Sequence, residues 1–187
     1  MTFNNSIENR NLVFFDIETQ KSFDEVGGRK FFHKLGLSVA VTYCTQNDTY
    51  SSYFEADVEN LISELKNADL VIGFNIQAFD YVVLQPYTRF KLFNLKSFDI
   101  LSDIHHRLGF RISLDSLASS TLGTQKLADG LQAIEWYKTG KFDDLVEYCK
   151  KDVEITRQLY MFGKMNKYIL YYDKYQRSVL KLPVEWP

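Results

Sequence analysis

Short apolar runs separated by polar turns fill the first hundred residues, a pattern typical of strands in a buried sheet. Five of these runs predict strands: residues 11–15, 36–44, 49–54, 69–74 and 97–101. Residues 36–44 and 49–54 are rich in β-forming side chains and flank a polar turn, which predicts a hairpin. The run at 11–15 (NLVFF) is apolar throughout, so we expect a central strand that ends just before Asp16.

Apolar residues at helical spacing lie between and after these runs. They predict helices over residues 57–66, from about 77 until Pro86, and over 114–122, 132–138 and 142–162. We expect Asp57 and Ser113 to cap the first and third of these helices, and residues 123–130 to form a loop.

The end of the chain returns to a β pattern. Residues 168–173 (YILYYD) and 178–186 (SVLKLPVEW) flank a polar turn and predict a terminal hairpin. The order of elements predicts an α/β fold, a mixed five-stranded sheet flanked by helices with a C-terminal hairpin. We expect one domain over residues 1–187, with a core of about 11–165 and a hairpin tail of about 166–187.

Composition narrows the classes of function. Hydrophobic residues make up 45% of the chain, and the net charge is −2. A nearly neutral protein does not coat nucleic acid by bulk charge, but a nuclease whose bound metals supply positive charge fits this balance. Cys44 and Cys149 lack zinc-site or disulfide-framework spacing, which predicts free buried thiols. The chain has neither a secretion signal nor ~18 consecutive apolar residues, so we expect a cytoplasmic protein without membrane association.

Acidic residues stand in three stretches that these elements bring to one cleft. Asp16 and Glu18 are two apart in an extended segment, so both side chains point to the same side. Asp80 falls in the first turn of its predicted helix, where the helix dipole favours a carboxylate. Tyr148 and Asp152 are four apart in the last helix and share one face.

Four carboxylates that share a cleft need positive charge between them. Oxygen ligands of this kind suit Mg²⁺ or Mn²⁺. Two such ions ~3.5–4 Å apart clamp the attacking and leaving oxygens of a phosphodiester displacement, and the Tyr148 hydroxyl would orient the attacking water. Each acid alone also fits a helix cap or a surface charge, but their joint placement with Tyr148 favours a two-metal site that cuts a phosphodiester bond.

Three motifs in this order resemble those of a known family. They are FDIET at residues 15–19, NxxxFDxxxL at Asn75, Phe79, Asp80 and Leu84, and YxxxD at Tyr148 and Asp152. The set resembles the DEDD (DnaQ-like) superfamily of 3′–5′ exonucleases, which has an RNase H-like fold. The tyrosine makes the chain most similar to the DEDDy branch, to the proofreading domains of family-B DNA polymerases and to their stand-alone bacterial relatives. The resemblance covers about residues 11–162.

The resemblance implies a two-metal 3′–5′ exonuclease that releases nucleoside monophosphates from single-stranded 3′ ends, with DNA favoured over RNA. In that reading Asp16, Glu18 and Asp152 hold the metal beside the nucleophile. Asp16 bridges to the second metal, and Asp80 acts mostly through water. Contacts with the nucleic acid are expected from the motif residues Thr19, Asn75 and Phe79.

The resemblance also bears on partners and on the water-orienting group. The other branch of the superfamily uses a His five residues before the last Asp, a position held here by Glu147. No polymerase domain follows the motifs, which favours the stand-alone or helicase-associated relatives and a helicase or polymerase as partner. The choice between DNA and RNA and the oligomeric state stay open.

Several residues and functions keep two interpretations. Lys126 could contact a phosphate or be a solvated loop lysine, and we count it among the candidate nucleic-acid contacts. Asp99 could be a fifth acid of the site, but a hydrogen bond that closes a strand end is favoured. The alternative functions are a non-catalytic nucleic-acid-binding module, an endonuclease and a structure-specific ribonuclease.

Overall fold

The apolar runs and helical stripes of the sequence form seven strands and six helices in the computed structural model, which describes residues 10–124 and 130–187. The strands are β1 (Leu12–Thr19), β2 (Leu37–Cys44), β3 (Thr49–Phe54), β4 (Leu70–Gly73), β5 (Ser97–Asp99), β6 (Tyr168–Asp173) and β7 (Ser178–Pro183). The helices are α1 (Val58–Asn67), α2 (Asp80–Leu84), α3 (Ile100–Leu108), α4 (Leu114–Leu122), α5 (Gly130–Lys138) and α6 (Phe142–Asn166). Short 3-10 turns occupy Arg29–Lys34, Glu55–Asp57, Gln85–Tyr87 and Leu92–Asn94.

Five of the strands form one mixed sheet in the order β3-β2-β1-β4-β5. The central strand β1 pairs antiparallel with β2 and parallel with β4. Strand β5 joins β4 in parallel, and β3 joins β2 in antiparallel orientation. Strands β6 and β7 pair only with each other among the described residues. The predicted five-stranded mixed sheet and C-terminal hairpin are therefore confirmed.

Both faces of the sheet are covered, and successive residues of β1 alternate between two cores. Leu12 and Phe14 pack into the core that α6 shares, whereas Val13 and Phe15 pack into the core that α1 shares. A strand covered on both faces buries every residue, which explains the unbroken apolar run at the start of β1. Phe14 and Phe15 are fully buried, so their predicted place in the core is confirmed.

The first strand is longer than the apolar run predicted. It continues through Asp16 to Thr19, whereas the sequence predicted an end at residue 15. Pairing with β4 stops at Phe14, opposite Ile72, but pairing with β2 continues to Thr19. Pairing with β2 keeps the acidic residues of β1 extended. Because pairing with β4 has ended, the other edge of β1 is open beside them.

Two further boundaries differ because a single residue changes the backbone. Strand β5 ends at Asp99 rather than at residue 101, since the Asp99 side chain accepts a hydrogen bond from the Ser102 N–H and caps α3. The helix expected from residue 77 begins at Asp80, after Asn75 has taken a left-handed conformation with φ of 71°.

The remaining helix ends follow the prediction closely. Ser113 caps α4 as expected, by accepting a hydrogen bond from the Ser116 N–H. Asp57 occupies the cap position of α1, but its side chain makes no cap hydrogen bond. Helix α6 extends four residues beyond the predicted end, to Asn166, before Lys167 turns left-handed.

The segment after β7 packs back onto the helices. Trp186 is buried and stacks on Tyr160 of α6, with 6.1 Å between the ring centroids. Its indole N–H donates to Asp103 of α3 over 2.9 Å. A Cβ at Gly163 would lie 2.4 Å from the indole ring, so a glycine is needed for this approach. The C-terminal segment thereby ties α3 to α6.

Within residues 10–124 and 130–187, no helix combines the length and the apolar character that crossing a lipid bilayer requires.

Candidate metal centre

The open edge of β1 presents two carboxylates to one cleft. Asp16 and Glu18 are two residues apart in the strand, so their side chains leave it on the same face. Beyond Phe14 no β4 residue pairs with β1, and Phe74 and Asn75, which follow β4, line the cleft instead. The end of the parallel ladder therefore creates the space into which both acids project.

Helix α6 brings the third carboxylate into the same place. One oxygen each from Asp16, Glu18 and Asp152 lie within 4.8 Å of one another. The buried Cys149 lies against β1, with its Sγ 3.4 Å from the Asp16 carbonyl oxygen. Tyr148 lies one helical turn before Asp152, close enough for its hydroxyl to lower the pKa of that carboxyl against the larger effect of burial. The structure thus joins these residues as the spacing predicted.

Asp80 lines the same cleft and is the most buried of the four acids, with 2% of its surface exposed. It is the first residue of α2 and so lies in the first turn of its helix, as predicted. Its Oδ1 atom is buried without a hydrogen-bond partner in the described part of the chain. Its oxygens fall outside the 4.8 Å group that the other three acids form.

Burial and mutual repulsion make these acids hold protons. Burial, followed by the charges of Asp80, Asp152 and Glu18, raises the pKa of Asp16 well above its ordinary value. Burial and then Asp152 raise the pKa of Glu18 in the same direction. Burial also raises the pKa of Asp80 to about 8 and that of Asp152 to about 7. The hydrogen bond from Tyr148 opposes the rise at Asp152.

This set of donors fits a divalent cation. Clustered carboxylate oxygens are the ligands that hard cations such as Mg²⁺ and Mn²⁺ take. Positive charge among Asp16, Glu18 and Asp152 would turn their repulsion into attraction, and the unpartnered Oδ1 of Asp80 is a further available ligand atom. The cleft is therefore a candidate metal centre.

Three residues near the centre were missed by the sequence reasoning. Asp115, in the first turn of α4, is close enough to Asp152 that its charge raises the pKa of that acid. Arg111 lines the cleft from the connection between α3 and α4. Cys149 contacts Asp16 although the sequence predicted only a buried thiol. Asp115 and Arg111 lie outside the three motifs and reach the site only through the fold, whereas Cys149 fills a variable position of the YxxxD motif.

The predicted nucleic-acid contacts lie in two adjoining depressions. Asn75 lines the cleft with the acids, and Phe79 lines both that cleft and a neighbouring groove. Thr19 lines the neighbouring groove, and its hydroxyl donates to the Lys21 carbonyl. Lys126 lies outside the described residues.

Asp99 has the structural role that the sequence favoured. Its carboxylate accepts hydrogen bonds from the backbone N–H groups of Asn75, Gln77 and Ser102. It therefore closes the ends of β4 and β5 and does not join the acids that face the cleft.

Comparisons with known proteins agree with this architecture. The sequence profile of an RNase H family, described as RNase_H superfamily, matches residues 13–162. Comparison with curated protein sequences gives no significant match. The structure is similar to that of Escherichia coli ExoI in a zinc-bound complex with single-stranded DNA, with a TM-score of 0.51 and 12% sequence identity. The similarity covers 85% of this chain and 41% of the ExoI chain, and at this identity it bears on the fold alone.

The family match and the sheet support each other. The matched residues 13–162 contain all five strands of the mixed sheet except the first residue of β1, and all six helices except the last four residues of α6. The three convergent acids Asp16, Glu18 and Asp152 fall inside the same span. Because the match takes in most of the chain and agrees with the observed fold, this protein belongs to the RNase_H superfamily.

Proposed function

We propose that this protein is a metal-dependent 3′–5′ exonuclease that hydrolyses the terminal phosphodiester bond of single-stranded nucleic acid and releases nucleoside monophosphates. The observation that carries the proposal is the approach of Asp16, Glu18 and Asp152 to within 4.8 Å in an open cleft. Acids whose pKa is raised by burial and by neighbouring charges lower the stability of the fold. Groups of such acids are typical of functional sites.

Asp16, Glu18 and Asp152 would hold one divalent ion, and Asp80 would serve a second, both Mg²⁺ or Mn²⁺. Such ions, when bound, lower the pKa of water and stabilise the charge on the leaving oxygen. Burial of the Tyr148 hydroxyl, followed by the charge of the nearby Asp152, raises its pKa. It therefore keeps its proton at neutral pH and acts by hydrogen bonding, which suits a group that orients water rather than one that removes a proton.

The volume of the cleft suits a single nucleotide at the end of a nucleic-acid strand. Its volume is about 490 Å³, within the ~300–1,000 Å³ usual for sites that enclose a small ligand such as a nucleotide. Asn75 and Phe79 on its wall are the proposed contacts for the terminal nucleotide. The single-stranded DNA in the ExoI complex favours DNA over RNA as the substrate of this chain. A helicase or polymerase partner stays a prediction.

The proposal is tested by following oligonucleotides labelled at the 5′ end, as DNA and as RNA, with Mg²⁺, with Mn²⁺ and with EDTA. We expect a ladder that shortens one nucleotide at a time from the 3′ end, together with free nucleoside monophosphates. EDTA and the Asp16→Ala variant should abolish it, while Asp57→Ala, which changes an exposed acid at α1, should leave it unchanged.

Other outcomes would contradict the proposal in distinct ways. Internal fragments without terminal shortening would indicate an endonuclease. Oligonucleotide binding without any hydrolysis would indicate a binding module. Full activity of Asp16→Ala would show that the acids of the cleft take no part in the reaction.

A further inference from the structure

Arg111 is the one cation among the described residues that line the acidic cleft. It lies in the short connection between α3 and α4, which is fixed on both sides. Gly109 ends α3 in a left-handed conformation, and Ile112 is buried in the core. The arginine side chain itself is exposed to solvent. The backbone is therefore anchored on both sides of an exposed cation at the rim of the proposed active site.

No ion pair with the acids of the cleft neutralises the charge of Arg111 among the described residues. The guanidinium donates from Nη2 to the side-chain carbonyl of Asn75 over 2.7 Å, and that amide is neutral. None of the ion pairs within 4.0 Å among the described residues includes Arg111. An arginine has five N–H donors, so most of them stay available for an anion.

The contact with Asn75 holds the guanidinium in one direction. Asn75 adopts a φ of 71°, a conformation that few residues other than glycine take. Its backbone N–H donates to Asp99 over 2.8 Å, so a buried carboxylate fixes the backbone from which the amide reaches Arg111. Asp99, Asn75 and Arg111 form a chain of hydrogen bonds from the core to the rim of the cleft.

We propose that Arg111 binds a backbone phosphate of the nucleic-acid strand that enters the cleft, and that Asn75, held by Asp99, positions the guanidinium for this contact. The proposal rests on the proposed function for its substrate. A phosphate matches the planar fork of a guanidinium, which can donate two parallel hydrogen bonds to it. Two divalent ions would offset the four carboxylates of the cleft, so Arg111 would supply the positive charge that attracts the part of the strand outside the metal centre.

The test compares the wild type with Arg111→Ala, Arg111→Lys and Asn75→Gly, using single-stranded oligonucleotides over a series of salt concentrations. Arg89→Ala is the matched control, because Arg89 is an exposed arginine in a different groove. Steady-state hydrolysis gives kcat and KM, and fluorescence anisotropy gives oligonucleotide binding without reference to hydrolysis.

We expect Arg111→Ala to raise KM about tenfold, the usual effect of losing a charge-assisted hydrogen bond. The slope of log(kcat/KM) against log salt should become shallower by about 0.7, the contribution of one phosphate in a single strand. Arg111→Lys should keep the wild-type slope with an intermediate KM, since it retains the charge but not the fork. Asn75→Gly suits the left-handed backbone, and should raise KM while it keeps the slope.

Two results would overturn the proposal. Arg111→Ala could match Arg89→Ala in both KM and salt slope, or it could lower kcat while the slope stays at the wild-type value, as a purely structural role requires. A wild type that degrades neither DNA nor RNA refutes the exonuclease instead. In that case oligonucleotide binding tests the role of Arg111. The salt dependence of binding should be shallower for Arg111→Ala than for Arg89→Ala, and equal slopes would refute the phosphate contact.

Discussion

Replacement of Asp80 by Asn should stabilise the metal-free protein, and by an amount that depends on pH. Asp80 is buried, its Oδ1 has no partner in the described structure, and its pKa is about 8 compared with an ordinary 3.8. Between these two values the folded state binds a proton that the unfolded state releases. The free energy of unfolding therefore falls as pH rises from about 4 to about 8, and the cost is complete above pH 8.

The size of the effect follows from the change in proton affinity. Each tenfold change is worth about 1.4 kcal/mol, so a pKa of about 8 instead of 3.8 corresponds to a full cost of about 5–6 kcal/mol. Relaxation and water entry around the ionised group reduce this cost. We expect Asp80→Asn to raise the free energy of unfolding by about 2–4 kcal/mol at pH 9 and to change it by less than about 1 kcal/mol at pH 5.

The measurement is urea unfolding in EDTA at pH 5, 7 and 9, on the wild type, Asp80→Asn and Asp57→Asn. Asp57 is an exposed acid whose side chain makes no cap hydrogen bond, so its variant should show no gain at any of these pH values. If Asp80→Asn is no more stable than the wild type at pH 9, burial of the ionised carboxylate does not cost the protein stability. An equal gain at pH 5 and pH 9 would assign the effect to packing rather than charge.

Three further predictions concern the site and the fold. Tyr148→Phe removes the hydroxyl near Asp152 and should lower kcat about 10–100-fold with little change in KM. Unchanged steady-state kinetics would exclude a role in orienting water. Mn²⁺ should raise the melting temperature of the wild type more at pH 8 than at pH 6, because protons compete with the metal for acids whose pKa is raised. An equal rise at both pH values, or no rise, would contradict this competition. Gly163→Ala should lower the free energy of unfolding by about 1–3 kcal/mol, since the new Cβ would lie 2.4 Å from the Trp186 ring. An unchanged midpoint of urea unfolding would show that the indole can move aside.

The sequence predicted the sheet and the grouped acids because both depend on local patterns. Apolar runs mark strands wherever they lie in the sheet, and a spacing of two or four residues sets the direction of side chains in a strand or a helix. Glu18 follows Asp16 on one face of β1, and Asp152 follows Tyr148 on one face of α6, as their spacing requires.

Features that depend on distant neighbours could not be read from the sequence. The end of β1 depends on its pairing with β2, which continues to Thr19, and its open edge depends on where β4, more than fifty residues later in the chain, stops pairing. The sequence favoured a structural role for Asp99, but its three backbone donors come from two separate segments that only the fold brings together. Arg111 and Asp115 belong to no motif, and the packing of the α3–α4 connection alone brings them to the cleft.

Anomalous diffraction from crystals soaked in Mn²⁺ would show whether acids of β1, α2 and α6 share divalent ions in one cleft. We expect two anomalous peaks ~3.5–4 Å apart, one bound by Asp16, Glu18 and Asp152 and the other close to Asp80. Crystals at millimolar Mn²⁺ that show no peak in this cleft would contradict it.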